Sequence, residues 1–96
     1  MAPSATELSS AIGHPLRRRI LLACLGGEFV NVSVGELASA LDERVAQVAY
    51  HLKALASAGL LRLLPEDDGE TRYGWAPGID PAWLRLVLAL SVEQRR

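Results

Sequence analysis

The chain has 96 residues, half of them hydrophobic, which fits one globular domain and excludes a disordered segment. Its formal net charge of −1 argues against a general polyanion binder but leaves room for a local basic surface, because phosphate affinity depends on where lysine and arginine sit. A lone cysteine, Cys24, excludes an internal disulfide and fits a reducing cytoplasm, and Met1-Ala2-Pro3-Ser4 lacks the basic-then-apolar pattern of a secretory signal.

Ser4-Ala5-Thr6-Glu7 has the spacing of a capping box and opens a helix that uses Leu8, Ala11 and Ile12 before Gly13 ends it. Pro15 suits the first turn of the next helix, which carries Leu16, Ile20, Leu21 and Cys24 inward until Gly26-Gly27. Arg17-Arg18-Arg19 lies on this helix, where three consecutive side chains cannot share a direction. A solvated basic patch is expected, with a phosphate contact as the alternative. Glu28 to Val32 is a connector with strand character from Phe29, Val30 and Val32.

Ser33 and Glu36 form a second capping box, so a helix begins at about Val34, with Leu37, Ala38 and Leu41 as its apolar face. Asp42-Glu43-Arg44 is a polar break able to cap another helix. At about 100° per residue, Val45, Val48, Leu52 and Leu55 fall on one side of that helix, and Ala46, Gln47, Ala49, Tyr50, Lys53 and Ser57 on the other. It stops at Ala58-Gly59, and Leu60 to Leu64 reads as a strand. Two helices over about 33–58, joined by a short turn, make a helix-turn-helix whose second helix can enter a major groove.

Pro65 to Glu70 is a turn by composition and Thr71 to Trp75 the returning strand, giving a hairpin over about 60–76. Its tip holds four carboxylates, Glu66, Asp67, Asp68 and Glu70, which suit water better than phosphate. Asp80-Pro81 starts a last helix over about 81–94. From Ala82 to Val92 only Arg85 and Ser91 are polar, so apolar side chains surround the helix. That run is far short of the roughly 20 residues that span a bilayer, so the helix calls for a protein partner and no membrane is expected. Trp83, Leu84, Val87, Leu88 and Leu90 are the candidate homodimer contacts.

Val48, His51-Leu52-Lys53 and Ala58-Gly59-Leu60, together with Ile12-Gly13-His14-Pro15-Leu16-Arg17-Arg18-Arg19-Ile20-Leu21, give a pattern that resembles the ArsR family of bacterial winged-helix repressors over nearly the whole chain. The resemblance implies a mainly α fold with a small β-hairpin (α+β): a winged helix-turn-helix with a three-helix core, a wing and a C-terminal dimerisation helix. It also implies that first and last helices pack across a dimer axis, which adds Leu8 and Ile12 to the interface. In many winged helices a short strand at the connector pairs with the wing.

The function expected is a DNA-binding transcriptional regulator, a homodimeric repressor on a palindromic operator, with double-stranded DNA and a second copy as partners. The candidate DNA contacts are Arg44, Gln47, Tyr50, His51, Lys53, Arg62 and Arg72. Gln47 can pair with adenine at two atoms, Lys53 suits a phosphate, Arg44 suits either, and His51 suits packing or a phosphate-facing role. The chain departs from the family where helix starts usually carry serine, threonine or glutamine. Here stand Val45, Ala46 and Ala49, and alanine can only touch a thymine methyl, leaving specificity to few contacts or to DNA shape. A rival from another class is a degenerate winged-helix module that binds protein or dimerises without touching DNA.

No cofactor is expected. The family's cysteine pair would fall near Ser33 and Gly35, neither a ligand, and Cys24, His14 and His51 are scattered in sequence, so metal sensing looks absent. Cys24 on an apolar helical face reads as core packing. With no effector pocket recognisable, the inducing signal stays open. No glycine-rich phosphate loop, nucleophile motif or apolar carboxylate pair points to an enzyme.

Overall fold

The computed structural model describes residues 5–25, 32–65 and 69–94. Its elements run α1 (Ala5–Gly13), α2 (Pro15–Leu25), β1 (Val32–Ser33), α3 (Val34–Leu41), α4 (Val45–Ser57), β2 (Leu61–Leu63), β3 (Arg72–Trp75) and α5 (Pro81–Gln94). The expected capping residue of α1, Ser4, the helix stop at Gly26-Gly27, Phe29 and Val30, and the tip residues Glu66, Asp67 and Asp68 lie outside the described residues.

The helix-turn-helix is built by its caps. The Ser33 hydroxyl accepts the Glu36 N–H at 3.1 Å, and the Glu36 carboxylate accepts the Ser33 N–H at 3.3 Å, so α3 starts on the reciprocal pair that the Ser33–Glu36 spacing implies. It ends at Asp42, which adopts the left-handed conformation with φ 55° and ψ 48°, while the Glu43 N–H folds back to the Ala38 carbonyl at 3.0 Å. The turn into α4 differs from expectation. The N-cap of α4 is Arg44, which makes no side-chain capping bond, so the polar break turns the chain without capping the helix. Gly59, with φ +89°, closes α4, and the Leu60 N–H bonds the Leu55 carbonyl at 3.1 Å, directing the chain into β2.

The sheet has strand order β1-β3-β2, both pairings antiparallel. Val32 pairs with Tyr73 and Ser33 with Arg72, so the connector's strand character is realised at Val32–Ser33 and ties the wing to the start of α3. Leu61, Arg62 and Leu63 pair with Trp75, Gly74 and Tyr73.

Ile20 and Leu21 of α2, Leu37 of α3, Val48, Leu52 and Leu55 of α4, and Leu60 meet in the core, each fully buried. Full burial of one such side chain contributes about 1.5–3 kcal/mol. Leu84 and Leu88 of α5 join them at 0% and 1% exposure, Ile12 is buried and Leu8 and Val87 half-buried. Of the residues expected at a homodimer interface, Leu8, Ile12, Leu84, Val87 and Leu88 therefore face their own domain in whole or part, and Ile12, Leu84 and Leu88 are core residues. One domain covers one side of α5 because Leu84 and Leu88 share a stripe, and at about 100° per residue Trp83, Leu86 and Leu90 fall opposite. These three are exposed at 42%, 60% and 50%.

The three arginines of the triplet point in different directions, with Arg18 buried, Arg17 half-buried and Arg19 exposed. Arg18 is buried and donates to the carbonyls of Ile12 and Leu88, each at 3.1 Å, joining α1 and α5 through α2. Arg19 pairs with Glu43 at 2.9 Å and donates to the Leu41 carbonyl at 2.8 Å, holding the turn before α4. Arg17 donates from Nε to Nδ1 of His51 at 3.1 Å. Among the described residues no helix is long and apolar enough to cross a membrane.

Candidate nucleic-acid interface

With Val48, Leu52 and Leu55 fixed in the core, α4 turns Arg44, Ala46, Gln47, Tyr50, Lys53 and Ser57 outward. Tyr50 is 65% exposed, much more than an aromatic ring kept only for packing needs. On one flank of the helix, Arg44, Ala46, Gln47 and Tyr50 border a shallow cleft of about 600 Å³ that His14 and His51 complete. On the other flank Val45 and Ala49 border a groove of about 270 Å³ against Gly35, Thr71 and Tyr73.

Val45 departs from the helical projection. The projection puts it on the core side, but it is 55% exposed, because it opens the helix beyond the reach of α2 and looks toward the wing instead.

His51 is 4% exposed and packs against its neighbours. Its Nδ1 accepts from Arg17, its ring lies 4.3 Å from that of His14 at 44°, and the Tyr50 ring meets it edge-on at 5.1 Å. Burial, then the neighbouring His14 and Arg17, lowers its pKa below the ordinary value of 6.5 and keeps it neutral. His14 in turn accepts the Leu16 N–H at Nδ1, 3.1 Å, so it caps α2 at a first-turn donor that has no helical carbonyl to bond. The two histidines, distant in sequence, thus form one cluster that backs Tyr50 from below.

On the wing, Arg62 is exposed on β2. Arg72 is held in place by carboxylates: it pairs with Glu36 at 3.3 Å and Glu70 at 2.9 Å. Those pairs bridge the wing to α3 and set two carboxylates beside the guanidinium. The hydrogen bonds from Ser33, followed by the charge of Arg72, hold the Glu36 carboxyl below its usual value.

Cys24 is buried and its thiol is pushed up to about 11 by loss of solvent, which suppresses thiolate chemistry near neutral pH. Among the described residues no group of three metal-ligating side chains converges.

Sequence reasoning missed the side chains that support α4 from behind. Arg17 and His14 stabilise the back of α4, and nothing in their local pattern indicates it, since both contacts bridge α2 and α4. Leu86 was legible: Trp83, Leu86 and Leu90 follow the i, i+3, i+7 spacing of one helical stripe.

No curated protein matches the chain. A family model described as a helix-turn-helix domain matches residues 12–63. Among solved structures, HlyU from Vibrio cholerae N16961 superposes with a TM-score of 0.72 at 27% identity, covering 90% of this chain and 89% of that one. The homodimeric winged helix-turn-helix DNA-binding domain Mb0332 from Mycobacterium bovis, a possible ArsR-family regulator, superposes at 0.74 with 24% identity, covering 93% and 78%. The antimony-specific transcriptional repressor AntR superposes at 0.68 with 26% identity, covering 88% and 70%. The family match spans more than half of the sequence, and the chain belongs to the helix-turn-helix domain family, with the winged-helix fold of ArsR-type regulators.

Proposed function

We propose that the protein is a DNA-binding transcriptional regulator, a homodimeric repressor that sets the α4 helices of its two copies into successive major grooves of a palindromic operator, about 34–36 Å apart. The outward face of α4 carries this reading. Gln47, Tyr50, Lys53 and Arg44 lie exposed on a helix whose opposite side is fixed by fully buried side chains. Rigid backing matters because base readout requires hydrogen-bonding atoms held to a fraction of an ångström.

Gln47 offers an amide that matches adenine N6 and N7. Lys53, four residues beyond Ala49 on the exposed side, holds a phosphate, as does Arg62 from the wing. Tyr50, braced edge-on by His51, presents a hydroxyl to phosphate or base. Arg72 and His51 serve as scaffolding. The exposed stripe Trp83, Leu86 and Leu90 supplies the apolar surface for the second copy. AntR is described as a repressor and Mb0332 as a homodimer, which supports those two parts of the proposal.

Fluorescence anisotropy of a labelled random-sequence duplex, titrated at low and at physiological salt, tests the reading. Binding that weakens steeply with salt is the expected result. No binding at low salt overturns it and leaves the outer face of α4 to a protein partner.

A further inference from the structure

The first turn of α4 has two unlike flanks. A helix entering the major groove by its N-terminal end meets base edges with this turn. One flank carries Gln47 and Arg44, groups that donate and accept hydrogen bonds. The other carries Val45 and Ala49, which present methyl groups alone, with Val45 55% exposed.

Local helix energetics do not explain these residues. Arg44 makes no capping bond, and valine is a poorer helix former than alanine. Val45 is also not held by the core, since it borders the open groove beside Gly35 and Thr71. Its exposed isopropyl group, beside Ala49, forms an apolar step at the front of the helix.

A purine or a cytosine edge set against that step would lose hydrogen bonds to water and gain none. Thymine is different, because its major-groove edge carries a 5-methyl group. We infer that Val45, with Ala49 beside it, is a specificity determinant that reads the 5-methyl group of thymine, while Gln47 reads an adjacent base by hydrogen bonding. The inference rests on the DNA-binding function proposed above and names the chemistry by which half of the reading surface discriminates.

The test uses the full chain and an operator selected from random duplexes by repeated binding. Each thymine is replaced in turn by uracil, which keeps every hydrogen-bonding atom and removes only the methyl. Dissociation constants are measured for the wild type and for Val45→Ala, a substitution at an exposed site that favours the helix. At the contacted thymine the wild type loses about fourfold in affinity on the uracil duplex, the effect of one buried methyl. Val45→Ala binds the two duplexes alike, which separates a methyl contact from any change in duplex shape. Gln47→Ala weakens binding to both duplexes and keeps the thymine preference. Equal wild-type affinity for thymine and uracil at every position overturns the methyl reading while DNA binding stands. Failure to select any duplex removes the DNA-binding function itself, and this inference with it.

Discussion

α4 and α5 bury comparable stripes and differ in what they leave outside. Val48, Leu52 and Leu55 anchor one helix and Leu84 and Leu88 the other, all fully buried or nearly so. Beyond the exposed Val45 and Ala46 of its first turn, the outer side of α4 is polar, with Gln47, Tyr50 and Lys53, whereas the outer side of α5 carries Trp83, Leu86 and Leu90. The buried stripes serve the fold in the same way, so the difference outside marks function. A polar face set on a rigid helix suits a polyanion with patterned edges, and an apolar face of this kind suits a second protein surface.

Breaking the shared part gives the largest effects. Leu52→Ala and Leu84→Ala each remove a fully buried side chain and should destabilise the monomer by about 2–5 kcal/mol in urea unfolding. A much smaller loss for Leu84→Ala would mean that α5 docks loosely and that the two inner stripes are not equivalent. Arg18→Leu comes next. It strips the guanidinium from the carbonyls of Ile12 and Leu88, and an unpaired buried polar group costs about 1–3 kcal/mol. The expected loss of stability would show that α1 and α5 are fastened to α2 by polar bonds as well as by packing. An unchanged midpoint would leave packing alone.

The outer faces separate in solution assays. Leu86→Glu should leave monomer stability within about 0.5 kcal/mol and halve the mass seen by light scattering. Leu88 cannot serve for this test, since a glutamate there would unfold the core. An unchanged mass would detach the apolar stripe of α5 from dimerisation. Lys53→Ala should lower DNA affinity and flatten the salt slope by about one unit, with no change in mass. If it left the slope alone, Lys53 would not face a phosphate.

Most of the architecture was legible because it is local. The Ser33–Glu36 capping box, the stop at Gly59, and the Asp80-Pro81 start, where Asp80 accepts the Ala82 N–H at 3.0 Å, all follow from residues a few positions apart. What was illegible depends on distant partners. Arg17-Arg18-Arg19 reads as a surface patch until α4, α1, α5 and Glu43 arrive around it. His51 reads as a helix-face residue until His14 and Arg17 enclose it, and Arg72 reads as a free wing cation until Glu36 and Glu70 reach it. The apolar run of α5 signals a buried helix without saying which side its own domain covers. Thus the outward placement of Gln47, Tyr50 and Lys53, which follows from helical periodicity alone, was the readable part of the candidate site.

The smallest expected effect concerns the histidine cluster that joins α2 to α4. His51 has a folded pKa below 6.5, caused first by burial and then by the neighbouring His14 and Arg17. In the unfolded chain the same imidazole titrates near its ordinary value, so below that value the unfolded state binds more protons than the folded one. Stability is therefore full above about pH 6.5 and is lost as the pH falls toward the lowered folded value. A proton on Nδ1 would also meet the Arg17 N–H that now donates to it, adding repulsion where a hydrogen bond stood. His51→Gln keeps an acceptor for Arg17 and removes the titration. Urea midpoints measured from pH 7.5 to 5 should fall more steeply in the wild type than in this variant. Parallel slopes would show that the cluster opens without consequence for α4, and that only its apolar contacts hold the helix against α2.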